Sequence, residues 1–273
     1  ADKKIILSPF DIKTLKQIYS DYTNVKPFDF LCFYAITGGI AKYIELLCNE
    51  KALTLEKILD TVFSDGSFFI SEGKDILIEE FGRDYNVYFS ILSLIAGSKT
   101  SRSEIESILE KSVGGYLDKL ENEYKIIKRL TPAFSKKGTK NVKYVIDDNF
   151  LNFWFTFVYK NSSAIEIKNF DYVKNIAVKN FDNFIGKVLE RYFKEKLAQS
   201  GDFSYIGSYW DSKGENVIDI IALNEMKKKA LIAEVKLNKN RINLNILKKK
   251  SEKIRDFIKD YKIEFAAYGL EDV

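Results

Sequence analysis

Residues Asn216–Lys236 read N-V-I-D-I-I-A-L-N-E-M-K-K-K-A-L-I-A-E-V-K. Two apolar, β-branched-rich runs flank a lysine-rich turn at 224–229, the pattern of a strand, a turn and a second strand. Each run carries charge where a buried strand should carry none. Asp219 lies between Ile218 and Ile220, and Glu234 and Lys236 bracket Val235. Residues two apart on a strand share a face, so Glu234 and Lys236 are expected on one side. The short turn then sets Asp219 on the adjoining strand with its carboxylate near Glu234. Ionised groups are costly to bury unless they are paired or bind a metal. Two carboxylates and a lysine on one patch suit a divalent cation, Mg²⁺ or Mn²⁺, and an activated water. The plain alternative is a Glu–Lys surface pair on an edge strand, with Asp219 ending its neighbour.

The flanking sequence adds a third acid. A helix expected over Phe181–Leu197 places Phe184, Val188 and Tyr192 on one face, with Glu190 and Lys194 nearby. After the hairpin, Ile242–Ile258 reads as a helix and Glu264–Tyr268 as a strand. The order of a helix with Glu190, a strand with Asp219, a strand with Glu234-Val235-Lys236, then helix and strand resembles the PD-(D/E)XK nuclease core. More specifically, the chain resembles the C-terminal portion of a family of prokaryotic (archaeal-type) AAA-type ATPases. The C-terminal domain of unknown function in that family has been assigned to the nuclease-like fold.

The stretches that carry the resemblance run in the family's order over most of the chain. They are Tyr34–Ile44 (Y-A-I-T-G-G-I-A-K-Y-I), Asp147–Phe155 (D-D-N-F-L-N-F-W-F), Phe184–Glu190 (F-I-G-K-V-L-E), Ile206–Trp210 (I-G-S-Y-W), Ile218–Leu223 (I-D-I-I-A-L) and Glu234–Lys236 (E-V-K). Ala41 stands where the family usually has proline, and Leu189 replaces a common Phe; both are packing changes. Val217 replaces a Glu often seen two residues before the Asp, which thins the acidic patch. Asp219, Glu234 and Lys236 are retained. The resemblance implies Asp219, Glu234 and Glu190 as metal-facing acids and Lys236 as the residue that acts on water or phosphate.

Composition sets the outer bounds. With 273 residues, 46% hydrophobic and 14% aromatic, the chain has material for two or three small cores. Three prolines and no long polar tract argue against flexible linkers. The most apolar stretch, Phe150–Tyr159, is interrupted by Asn152 and too short to span a bilayer. No signal peptide is visible, and a start at Ala1 suggests a processed or truncated chain. Cys32 and Cys48 read as buried free thiols of a cytoplasmic protein, and two thiols are too few for a zinc site. The absence of histidine excludes Ser-His-Asp and Cys-His catalysis and the usual transition-metal sites. Hydrolytic chemistry must then run on carboxylates, lysine, tyrosine or a metal held by oxygen atoms.

The expected fold class is a multidomain α+β chain with three regions. Residues 1–82 read as helical, with Phe10–Tyr19, Phe28–Tyr34 and Ala41–Asn49 broken by the Gly38-Gly39 turn. By resemblance this is the lid-like segment that follows an ATPase domain. No G-x-x-x-x-G-K-[ST] occurs, and Gly97-Ser98-Lys99-Thr100 reads as a helix end, so ATP enters only through an ATPase domain outside this chain.

Residues 83–146 have the rhythm of a winged helix. Tyr88, Ile91, Leu92 and Ile95 share a face, and Ser101-Arg102-Ser103-Glu104 is a capping box. A third helix starts near Gly115, and strand-like runs at Lys125–Leu130 and Val142–Ile146 flank a basic tip at Lys136-Lys137-Gly138. Lys119, Lys136, Lys137 and Lys140 are the candidate phosphate contacts.

Residues 147–273 hold the restriction-endonuclease-like α/β core. There Asp147-Asp148 reads as a helix cap and the aromatic run after it as core.

The net charge is only +4, but lysines gather around the hairpin, at 227–229 and again from Lys239 to Arg255. Such a rim around an acidic site favours a phosphate backbone, although lysines also solvate ordinary helix surfaces. Two functions follow. One is a metal-dependent nuclease acting on nucleic acid, DNA above RNA. The other is a non-catalytic nucleic-acid-binding or regulatory module of the ATPase. Neither calls for a membrane, and both are compatible with an oligomer.

Overall fold

A computed structural model describes residues 8–82 and 85–273. Residues 1–7 of the first helical region, and residue 83 at the expected boundary with the second, lie outside the described residues. The chain is a mixed α+β protein with many helices and two small sheets.

Five helices come first: α1 (Ile12–Tyr22), α2 (Pro27–Thr37), α3 (Ala41–Asn49), α4 (Leu55–Val62) and α5 (Phe68–Phe81). Pro27 opens α2 at a position where its missing N–H costs nothing. Every residue of α2 from Phe30 to Thr37 is buried, so this helix is the axis of the helical region. It ends at Gly38 and Gly39, both left-handed (φ +54° and +81°). A Cβ on Gly39 would sit 2.4 Å from the Phe10 carbonyl oxygen, so the sharp break between α2 and α3 needs glycine.

Next come α6 (Tyr85–Ala96), α7 (Arg102–Leu109) and α8 (Gly114–Asn122), then a hairpin of β1 (Ile127–Leu130) and β2 (Lys143–Ile146). The Ser101/Glu104 capping box forms at the start of α7. The 131–142 segment that joins the two strands does not stand free. The Ala133 N–H donates to the Ser208 carbonyl (2.8 Å), Phe134 stacks on Phe257 (centroids 4.8 Å apart), and Trp210 Nε1 donates to Asn141 Oδ1 (3.0 Å).

The third stretch begins with α9 (Asn149–Phe153), whose N-cap Asp148 accepts the Leu151 N–H at 2.7 Å. A π-helical turn (Trp154–Val158) and α10 (Ser162–Glu166) lead into α11 (Phe170–Gln199). Trp154 lies flat on Gly73, where any Cβ would come within 2.3 Å of the ring. Helix α11 starts eleven residues before the expected Phe181, because Val173 and Ala177 continue its buried stripe at helical spacing through a run whose other apolar residues include the exposed Tyr172 and Val178. Phe157, Phe181 and Phe184 pack ring on ring, and burying each such side chain contributes about 2–3 kcal/mol.

The chain then forms β3 (Tyr205–Trp210), β4 (Val217–Asn224) and β5 (Lys229–Val235) as an antiparallel meander. Helices α12 (Leu244–Ser251) and α13 (Arg255–Ile258) cross over to β6 (Lys262–Tyr268), which pairs parallel to β5. One face of this four-stranded sheet (Ile220, Ala222, Leu231, Ala233) packs with α11, and the other (Ile221, Leu223, Ala230, Ile232) with Leu247 of α12, Ile258 of α13 and Ile254 in the short turn between them. The first of these cores is continuous from Ile12 to Val273, so buried residues of all three regions share it.

Candidate functional site

The site is built on one irregularity. Gly207 pairs with Ile221 and Tyr209 with Ile218, so Ser208 on β3 faces two residues, Asp219 and Ile220, on β4. This is a β-bulge, the device by which a sheet re-aims a side chain. Its effect shows in the burial pattern: Ile221 and Ile218 both point to the α12 side, three residues apart, which regular alternation forbids. Ser208 secures the bulge by donating its hydroxyl to the Asp219 carbonyl (2.8 Å). The freed Asp219 side chain lies along the sheet, where Oδ2 accepts the Val235 N–H at 2.9 Å.

Glu234 lies on the adjoining strand β5. The β4–β5 pairing reaches Ile220 with Ala233, the residues next to Asp219 and Glu234, and the Glu234 charge bears on Asp219. Glu234 is 8% exposed, an unusual place for a carboxylate. Two lysines hold it: Lys236 Nζ is 3.0 Å from Oε1, and Lys250 Nζ of α12 is 3.8 Å from Oε2. Lys236 also donates to the Arg241 carbonyl at 3.4 Å. The expected sharing of one face by Glu234 and Lys236 is therefore met at contact distance.

Glu190 approaches from α11. Burial, then the charge of Asp219, pushes its carboxyl up to about 7, against the pull of Lys194, Lys187 and Lys143. Asp219 is raised as well, first by burial and then by Glu234, with the Val235 N–H, Lys194 and Lys250 opposing. Burial lowers Lys194 despite the two acids beside it. Two acids whose environments resist ionisation, set among lysines, make this patch a candidate site.

Oxygen donors in this place suit a hard cation. Among the described residues no group of three or more His, Cys, Asp or Glu side chains is close enough together to hold a metal ion. The fit is that of two carboxylates, Asp219 and Glu234, on neighbouring strands. Magnesium typically takes one or two carboxylates and completes its shell with water and substrate phosphate.

The other candidates lie elsewhere. Lys136, Lys137 and Lys140 are exposed in the 131–142 segment, and Lys119 is exposed on α8. Asp147 faces solvent and Asp148 caps α9. Sequence reasoning set Lys250 within a solvated lysine run. In the fold Lys248 and Lys249 are exposed, whereas Lys250 borders the buried Leu247/Ser251 stripe and reaches the sheet. Its spacing of three from Leu247 was the available signal. Ser208 gave none, since a bulge depends on the partner strand. No described helix is long and apolar enough to cross a membrane.

No solved structure matches the chain. An uncharacterized protein of Methanocaldococcus jannaschii, MJECL04, is 32% identical over 212 residues, which is 74% of this chain and 46% of that protein. The chain thus spans about half the length of the curated relative it matches. Residues 154–254, the span that holds Glu190, Asp219, Glu234, Lys236 and Lys250, match the model of DUF234, a family described as archaea bacterial proteins of unknown function.

Proposed function

We propose that residues 147–273 form a metal-dependent nuclease module, and that the whole chain is the C-terminal part of a longer AAA-type ATPase. The observation that carries this reading is the bulge at Asp219. It sets the half-buried Asp219 on the strand beside that of Glu234, whose charge bears on it and whose carboxylate is 3.0 Å from the ammonium of Lys236. A helix, three antiparallel strands, a crossover helix and a parallel strand, with the acids on the middle strands, support the nuclease-like core. Three helices followed by a two-stranded hairpin support the winged helix before it.

Asp219 and Glu234 would hold Mg²⁺ or Mn²⁺, with Glu190 adding a direct or water-bridged contact. A bound divalent cation supplies an acidified water and charge neutralisation on the phosphate. The protein's own residues do the rest. The Val235 N–H fixes one Asp219 oxygen, and the other would be the one offered to the cation. Lys236, a donor and never a ligand while protonated, orients the attacking water and takes up charge that develops on the phosphate. Glu190, held near neutrality, is poised to accept or give a proton at the edge of the site. Lys119, Lys136, Lys137 and Lys140 would meet the phosphate backbone of DNA, a contact that weakens steeply with salt and carries no base information. ATP would act through the ATPase domain of the longer protein.

The test is a cleavage screen of single- and double-stranded DNA and RNA with Mg²⁺ or Mn²⁺, comparing the parent with Asp219→Ala. Cleavage by the parent that the variant lacks is the expected result. Equal product from both sinks the assignment, and binding without any cleavage leaves a regulatory nucleic-acid module.

A further inference from the structure

We propose that Lys250 is a built-in competitor of the divalent cation at Glu234 and, once displaced, a second cationic contact for the substrate phosphate; this rests on the nuclease reading above. Glu234 offers two oxygens, and an ammonium faces each. The two lysines are not equivalent. Lys236 is held from both sides, by Glu234 at 3.0 Å and by the Arg241 carbonyl at 3.4 Å. Lys250 stands farther off, at 3.8 Å, and among the described residues no hydrogen bond fixes its ammonium.

Its base, by contrast, is rigid. Leu247, Ser251 and Ile254 on either side of it are buried, and the Ser251 hydroxyl bonds back to the Lys248 carbonyl at 2.6 Å. A fixed Cα with a free four-carbon stem gives a charge that swings over a short arc without moving α12. The Lys250 side chain is 23% exposed against 43% for Lys236, so solvent screens its charge less. Lys250 also acts on Asp219, the other acid of the site.

A divalent cation held by Glu234 and the Lys250 ammonium would repel each other, so metal binding would favour Lys250 positions away from Glu234. A substrate phosphate held at the same site would then offer the displaced ammonium a new partner. Lys250 thus opposes metal binding in the empty site and favours substrate once metal is present, and the two effects have opposite signs. A purely structural lysine would show no such crossing.

The experiment uses the full chain. Mn²⁺ is titrated into the parent, Lys250→Gln, Lys250→Arg and Asp219→Ala, with free Mn²⁺ read by electron paramagnetic resonance and folding checked by circular dichroism. Lys250→Gln is expected to bind Mn²⁺ about tenfold more tightly than the parent, and Lys250→Arg to match the parent. At saturating Mn²⁺, a fluorescein-labelled oligonucleotide should bind Lys250→Gln about tenfold more weakly, with a salt slope shallower by about one. Unchanged or weaker Mn²⁺ binding by Lys250→Gln, or unchanged oligonucleotide binding, overturns the role of Lys250 alone. Mn²⁺ binding that Asp219→Ala does not reduce overturns the nuclease site, and Lys250 with it. If Lys250→Gln fails to fold, Lys250→Arg decides: its longer, forked head must keep the parent's Mn²⁺ affinity, and a loss overturns the competition.

Discussion

Glu190 and Arg191 are neighbours on α11, yet they face opposite kinds of surroundings. Arg191 donates to three acceptors: the carbonyls of Ile146 and Asp147 (the latter at 2.9 Å) and Asn149 Oδ1 at 2.7 Å. Asn149 in turn donates to the Tyr34 carbonyl at 3.0 Å, so this one guanidinium ties α11 to β2, α9 and α2. Glu190 meets burial and a second acid. On the Arg191 side every polar group finds its complement, and the charge stitches the fold together. On the Glu190 side burial and a second acid outweigh the opposing charges of Lys194, Lys187 and Lys143, so the carboxyl resists ionisation. The two neighbours thus differ in whether their surroundings satisfy or oppose the charge they carry.

The sharpest way to break this contrast is to remove the stitching. Arg191→Ala should cost about 4 kcal/mol, since three acceptors lose a charged donor at once. Thermal or denaturant unfolding measures it, and a loss below about 1 kcal/mol would make the Arg191 side no more structural than the Glu190 side. Next in size, Lys236→Ala should slow cleavage by roughly a hundred- to a thousandfold while leaving the fold and Mn²⁺ affinity near the parent's. A variant that cuts a substrate of the parent at the parent's rate removes Lys236 from the chemistry.

The smallest effect is on the pH profile of stability. In the fold Glu190 holds its proton up to about 7, against the ordinary value of 4.5, so the native state binds more protons than the unfolded chain between these values. Its contribution is therefore present at low pH and is lost as pH rises from about 4.5 through about 7. Glu190→Gln should lack that slope and exceed the parent's stability above pH 7 by about 1–2 kcal/mol. A parent that grows steadily more stable from pH 5 to 7, in step with the variant, would mean that Glu190 is not opposed at all.

Local chemistry made much of this legible. The hairpin showed in the two apolar runs that flank the lysine-rich turn at 224–229, the helix break in Gly38-Gly39, the start of α7 in Ser101-x-x-Glu104, and the capping role in Asp148. In each case the deciding residues lie within a few positions of one another, where propensity and hydrogen bonding act. What escaped depends on partners remote in sequence. The bulge at Asp219 exists because β3 supplies one residue, Ser208, against two. Lys250 reaches Glu234 only because the crossover lays α12 over the sheet. The basic 131–142 segment reads as a free wing, but Phe134 stacks on Phe257, 123 positions away, and no local pattern encodes that.

That docking has a consequence for self-association. Strand β3 forms one border of the four-stranded sheet, and an uncovered border strand invites pairing with another chain. The Ala133 amide occupies the Ser208 carbonyl, and Lys143 lies over the Trp210 ring at 4.6 Å, placing a charge at the far end of the same strand. The loop between β1 and β2, with Lys143 of β2, thus covers part of the β3 border, at Ser208 and Trp210, where another strand would have to pair.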